Sequence, residues 1–180
     1  MKLPDVNGYV LWLLPDHKSA EFYRSEIERL SDQYQSFPFL PHITLSRVPD
    51  WNLPRLKTAV AQITEVAQQF FVQLTRVNCG DVPYQKITAE VQKTEQLRNL
   101  YDVTDNVLGG NFSKREYPHL SLHYSTGSCR EFSAEIENLQ GKLRSPIKIA
   151  QIALISLEGT PNQWKVVYSK YMKTNSSRIS

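Results

Sequence analysis

Apolar residues are spaced along this chain in two alternating rhythms, one of period two and one of helical period. Tyr9-Val10-Leu11-Trp12-Leu13-Leu14 is a short apolar run closed by Pro15-Asp16 and reads as a buried strand. From Ser19 to about Gln33, Phe22, Tyr23, Ile27 and Leu30 recur at helical spacing with charged residues between them, which predicts an amphipathic helix. A proline-bracketed linker, Phe37-Pro38-Phe39-Leu40-Pro41, leads into a strand over His42 to Val48. Leu56, Ala59, Val60, Ile63 and Val66 mark a second helix, which Leu53-Pro54 can open because proline is tolerated in a first turn. Phe70 to Cys79 and Lys86 to Val91 predict strands on either side of the turn Gly80-Asp81-Val82-Pro83. A third helix, from Thr94 to Leu108, is stopped by Gly109-Gly110. A strand over His119 to Ser125, a helix over Arg130 to Leu143, and strands over Ile147 to Leu157 and Trp164 to Met172 complete the order.

This order predicts an α+β fold, with helices on antiparallel or mixed sheets and two halves that echo each other. Residues 1–173 are expected to form one bilobal domain, and 174–180 a polar, mobile tail. At 180 residues, 41% hydrophobic and 22% charged, the chain can bury a core without disulfide or metal support. A net charge of +3 is too small to coat duplex nucleic acid and leaves a compact anionic ligand as the natural partner. The first apolar run is too short for a signal-peptide core or for the roughly 20 residues of a spanning helix, so a cytoplasmic chain with no membrane contact is expected. Cys79 and Cys129 form no Cys-x-x-Cys pattern; both are expected to be reduced, with neither a disulfide framework nor a structural zinc.

The echo between the halves has a chemical centre. Pro41-His42-Ile43-Thr44-Leu45 and Pro118-His119-Leu120-Ser121-Leu122 repeat one pattern of proline, histidine, apolar, hydroxyl, apolar. With 10 prolines and 4 histidines in 180 positions, about 0.2 Pro-His pairs are expected by chance, and here two occur with matching continuations. In a strand, residues i and i+2 share a face, so His42 with Thr44, and His119 with Ser121, point one way while Ile43, Leu45, Leu120 and Leu122 point into the core. Two such strands side by side present two imidazoles and two hydroxyls to one cleft. That set suits phosphodiester hydrolysis without a metal: one neutral imidazole takes a proton from water and one protonated imidazole gives a proton to the departing oxygen. The hydroxyls would donate to the non-bridging phosphate oxygens.

On these residues the chain resembles the 2H phosphoesterases, named for two His-x-Thr/Ser motifs, and within them the plant-type cyclic phosphodiesterases. Val10-Leu11-Trp12-Leu13-Leu14-Pro15-Asp16 is similar to the family's tryptophan-containing first strand, Pro118 through Tyr124 matches closely, and the 77-residue spacing of the histidines is of the family kind. The resemblance implies a bilobal, LigT-like fold in which two antiparallel sheets flank a central cleft, with helices on the outer faces. It implies opening of ribose 2′,3′-cyclic phosphates to 2′-phosphates, and of ADP-ribose 1″,2″-cyclic phosphate to ADP-ribose 1″-phosphate, by a monomer with no metal or cofactor. By the same resemblance His42 is the general acid and His119 the general base, Thr44 and Ser121 hold the phosphate, and Trp12 and Tyr124 lie beside the substrate. The cysteine pairs of plant members have no counterpart that maps onto Cys79 and Cys129.

Several residues also fit plainer roles. Trp12 lies in an apolar run that suits core packing. Strict alternation puts Tyr124 on the face opposite His119 and Ser121, so a cleft contact requires a bulge or the strand's end. His123 shares parity with His119 and is expected to be solvated or to lie behind the site, and His17 to lie on the surface. Arg47, Lys114 and Arg115 are close to the motifs in sequence and could attract phosphate. Competing functions are an RNA enzyme acting on a 2′,3′-cyclic terminus or a 2′-5′ linkage, a phosphate-binding module without activity, and a metal hydrolase, for which the carboxylate-rich ligand set is missing.

Overall fold

The computed structural model describes residues 3–113 and 116–174, so the tail beyond Thr174 lies outside the described residues, as do Lys114 and Arg115. Eight strands and four helices follow the expected order: β1 (Tyr9–Pro15), α1 (His17–Gln33), β2 (Ile43–Arg47), α2 (Leu53–Val66), β3 (Phe70–Val72), β4 (Leu74–Cys79), β5 (Ile87–Val91), α3 (Glu95–Leu108), β6 (His119–His123), α4 (Ser133–Lys142), β7 (Ile147–Ser156) and β8 (Lys165–Tyr171). Side chains define the helix ends. Asp16, Asn52 and Thr94 accept from backbone N–H groups in the first turns of α1, α2 and α3. Gly109 closes α3 at φ 75°, a left-handed conformation that glycine adopts without steric cost.

The strands are ordered β3-β7-β1-β2-β6-β5-β4, with β8 also paired to β7 and every pairing antiparallel. The two halves meet where β2 lies beside β6, and the junction is thin: one register pair, Ile43 with Leu120, and a hydrogen bond from the Ser121 N–H to the His42 carbonyl. The two expected sheets are thus halves of one sheet. The stretch Phe70–Cys79, expected as one strand, breaks at Gln73, because β3 pairs with β7 at one end of the sheet and β4 with β5 at the other. That break nearly closes the sheet on itself.

Alternation sorts the side chains between two faces. Leu11, Leu13, Ile43, Leu45, Leu120 and Leu122 join the main core, to which all four helices contribute, among them Tyr23, Ile63, Leu97 and Leu139. The opposite face of β1 and β7 carries a smaller cluster, Val10, Trp12, Ala153 and Ile155, with Trp164 packed against it. This second face forms the wall of the cleft.

The cysteines are the clearest departure from expectation. Cys79 and Cys129 are joined in a disulfide, their Cα atoms 5.8 Å apart, which corrects the reading of both as reduced. The sequence hid the pair because 50 residues separate them. β5 carries the end of β4 across to the turn after β6, and only that sheet order brings the two together. α4 starts at Ser133 and not Arg130, because Cys129–Phe132 form a separate 3-10 turn, fixed by a capping box between Ser128 and Glu131.

Candidate active site

Each motif histidine is anchored the same way. The carbonyl two residues upstream, in front of the motif proline, accepts from the imidazole Nδ1–H: Leu40 for His42 at 2.6 Å, Tyr117 for His119 at 2.7 Å. Proline fixes the intervening φ, so the repeated Pro-His dipeptide yields a repeated ring orientation. With Nδ1 thus occupied, Nε2 is the atom available for chemistry on both rings.

The surroundings of the two rings differ. His42 is 1% exposed, its imidazole stacked on Trp12 with ring centroids 3.5 Å apart and planes 8° from parallel. Its Nε2 lies 3.2 Å from the Tyr124 hydroxyl. Burial pushes the His42 pKa down to about 3, against the opposing hydrogen bond to Leu40 and with a smaller contribution from His119, so at neutral pH the ring is uncharged. His119 is only partly buried and stands at the opening. Burial raises the Tyr124 pKa well above its ordinary value, more than a hydrogen bond from Ser121 lowers it, so this phenol stays protonated.

All six residues singled out in the sequence, Trp12, His42, Thr44, His119, Ser121 and Tyr124, line one cavity of about 600 Å³. Tyr124 reaches it by a bulge. Thr88 of β5 is paired with Ser121, but the next residue, Ile87, is paired with His123, so Leu122 is an extra residue in β6. Beyond the bulge the parity reverses: Tyr124 turns to the cleft and His123 turns away from it. His123 is therefore neither solvated nor behind the site. It is 1% exposed, packed between Tyr34 and Phe132, and burial lowers its pKa to about 4.

Tyr84, Tyr117 and Trp164 also line the cavity and were not foreseen. Tyr117 was within reach of the sequence, since it precedes Pro118-His119. Tyr84 and Trp164 carry no local signal, being delivered by a turn before β5 and another before β8. Among the described lining residues Glu116 is the one carboxylate, and there is no lysine or arginine. His17 and Arg47 are exposed and outside this lining. No group of three or more His, Cys, Asp or Glu among the described residues is placed to hold a metal ion, and no described helix is long and apolar enough to cross a membrane.

Comparison with known proteins identifies the fold and the family. The curated cyclic phosphodiesterase of Arabidopsis thaliana is 22% identical over 117 residues, a match spanning 65% of this chain and 65% of that relative. Among solved structures, E. coli LigT complexed with NADP+ superimposes with a TM-score of 0.57 at 10% identity, over 94% of this chain and 99% of LigT. A protein of Thermus thermophilus gives 0.60 at 12% identity, over 94% and 100%. Both share the fold. The model of the cyclic phosphodiesterase-like protein family matches residues 7–171, nearly the whole chain and both histidine motifs, and the protein belongs to that family of 2H phosphoesterases.

Proposed function

We propose that the protein is a metal-independent cyclic phosphodiesterase that opens cyclic phosphates on ribose. The observation that carries this reading is the meeting of His42, Thr44, His119 and Ser121 in one cleft, from two motif strands that lie side by side. The ring-opening step forms one P–O bond to water and breaks one to a ribose oxygen. His119, at the mouth, is placed to take the water's proton, and His42, sheltered behind it, to return a proton to the leaving oxygen. His42 is neutral in the empty cleft; the negative charge of a bound phosphate offsets its burial and lets it hold that proton. Thr44 and Ser121 donate to the non-bridging oxygens.

The substrates we propose are nucleoside 2′,3′-cyclic phosphates, giving 2′-phosphates, and ADP-ribose 1″,2″-cyclic phosphate, giving ADP-ribose 1″-phosphate. Tyr84, Tyr117 and Trp164 at the cleft support a base- or ribose-bearing ligand, since aromatic faces stack on bases whatever their sequence. Trp12 and Tyr124 belong to the substrate wall on this reading, although each is only 3% exposed. The cavity volume favours a compact nucleotide over an extended RNA strand. E. coli LigT has been crystallised with 3′-AMP and with NADP+, ligands of the same chemical kind.

The test is turnover of 2′,3′-cyclic nucleotides and ADP-ribose 1″,2″-cyclic phosphate in EDTA, with product regiochemistry read by phosphorus NMR. Activity should survive EDTA and fall by roughly a hundredfold or more in His42→Ala and in His119→Ala. A working pair shares one proton, so kcat/KM against pH should be bell-shaped. Its acidic limb should lie near the value of about 3 to which burial lowers His42, because below it both rings are protonated. Unchanged turnover in both alanine variants would overturn the mechanism. A preference of orders of magnitude for an oligonucleotide with the same terminus would transfer the reading to RNA processing.

A further inference from the structure

The Tyr124 hydroxyl stands between the two motifs. On one side lies Nε2 of His42 at 3.2 Å, and on the other the hydroxyl of Ser121, which is hydrogen-bonded to it. The direction of each bond follows from the donors available. His42 Nδ1 faces a carbonyl, which only accepts, so the ring carries its proton there and Nε2 of the neutral ring is a bare acceptor. Tyr124 therefore donates to His42, and its oxygen accepts from Ser121. The result is a directed chain: Ser121 to Tyr124, Tyr124 to His42, His42 to the Leu40 carbonyl. All three side chains are at most 3% exposed, so water does not compete for these bonds.

In this state the single hydrogen of Ser121 is committed to Tyr124 and is not available to a phosphate. One proton on His42 Nε2 reverses the chain. Until it passes that proton to the leaving oxygen, the imidazolium donates to the Tyr124 oxygen, Tyr124 turns its hydrogen to the Ser121 oxygen, and Ser121 releases its own hydrogen toward the cleft. No bond to a heavy atom breaks, and the only net change is the proton gained by His42. Among the described residues, the titratable groups that act on His42 are His119 from β6 and Tyr124 beyond its end, and Glu116 lines the same cavity.

We infer that Tyr124 is a positioning residue whose hydroxyl couples the protonation of His42 to the ability of Ser121 to donate to a phosphate oxygen. The inference rests on the cyclic phosphodiesterase reading for its kinetic consequence and on the free protein's geometry for the chain itself. It also changes the meaning of this aromatic residue in the cleft. The ring is stacked on Phe39, centroids 3.9 Å apart and 12° from parallel, with Tyr84 and Trp164 packed nearby, so the hydroxyl and not the ring face is what Tyr124 presents to the reacting groups.

Tyr124→Phe keeps the ring and its stacking and removes only the link. In the full-length chain, kcat on 2′,3′-cyclic AMP should fall roughly tenfold to hundredfold, the range expected for a lost charge-assisted hydrogen bond, while KM changes less than about twofold. Ser121→Ala cuts the same link from its other end, so the double variant should be little worse than the poorer single variant, and fully additive losses would overturn the coupling. Nitrogen-15 NMR of the imidazoles supplies a readout independent of turnover. His42 in the parent should be the Nδ1–H tautomer, and inorganic phosphate should raise its pKa by less in Tyr124→Phe than in the parent. Tautomer, phosphate response and kcat all unaltered in Tyr124→Phe would sink the inference and leave the proposed activity standing. Failure of the parent to turn over any cyclic phosphate would sink the activity, and the NMR comparison would still decide whether the chain exists.

Discussion

His42 and His123 are both buried at 1% exposure in a chain with four histidines, and both are held neutral by burial. Their consequence for stability has a definite sign. Unfolded histidine takes up a proton near pH 6.5, whereas His123 does so at about 4 and His42 at about 3 in the folded protein. The unfolded state therefore binds more protons throughout that window, and stability is full above about 6.5 and lost as pH falls toward the folded values. For His123 the loss is on the order of 3 kcal/mol, and His123→Phe should roughly halve the slope of stability against pH between about 4.5 and 6. Urea denaturation at a series of pH values reads this directly. An unchanged slope would mean that His123 is hydrated in the folded state. Residue identity made the two catalytic candidates legible, because Pro-His-x-Thr/Ser occurs twice. His123 was not legible, since parity alone placed it with His119 and one extra residue in β6 reversed that parity.

Single elements were largely written in local sequence. α1 and α3 stop where periodicity and, for α3, Gly109-Gly110 put them, while α1 begins at His17, two residues before the expected Ser19. The stretch Phe70–Cys79 was misread as one strand because both parts are apolar and β-prone, and only their separate partners divide it at Gln73. The disulfide belongs to this scale as well, tying the end of β4 to the turn before α4. A loop of 50 residues closed by a cross-link removes chain entropy worth about 4 kcal/mol, and measured effects are commonly smaller. Cys79→Ser with Cys129→Ser should thus cost roughly 2–4 kcal/mol in denaturant unfolding. Dithiothreitol should lower the parent's stability to the same level. Equal stability of the parent with and without the reductant would show that the bond contributes nothing.

At the scale of the molecule the cleft depends on two halves meeting over a thin junction of β2 and β6. Helical contacts reinforce it. Arg29 of α1 forms ion pairs with Glu26 on its own helix and with Glu135 of α4, and the Tyr23 hydroxyl donates to the Arg144 carbonyl beyond α4. Glu135 has a side chain only 8% exposed, so removing Arg29 leaves a buried carboxylate held by the Asn138 amide and the charge of Lys142 alone among the described residues. Arg29→Met should cost on the order of 2 kcal/mol, reduced from a fully buried pair because Arg29 itself is one-third exposed. Adding Glu135→Gln should recover part of the loss, measured by thermal or urea unfolding. A single variant as stable as the parent would remove the ion pair from the account.

The sequence by itself determined the repeated motif, the residues that share a face within each strand, the succession of helices and strands, and the chemistry that two imidazoles and two hydroxyls can perform. These follow from side-chain identity and from alternation, which depend on near neighbours along the chain. Only the tertiary structure decided that β2 and β6 lie side by side, that Cys79 meets Cys129, that a bulge turns Tyr124 into the cleft and His123 away from it, and that Tyr84 and Trp164 join the wall. Each of these depends on contacts between residues far apart in the chain. The same is true of what separates the two motif histidines: in sequence they are almost interchangeable, and it is the packing of Trp12, Phe39 and Tyr124 around His42 that makes one buried and neutral while the other faces solvent.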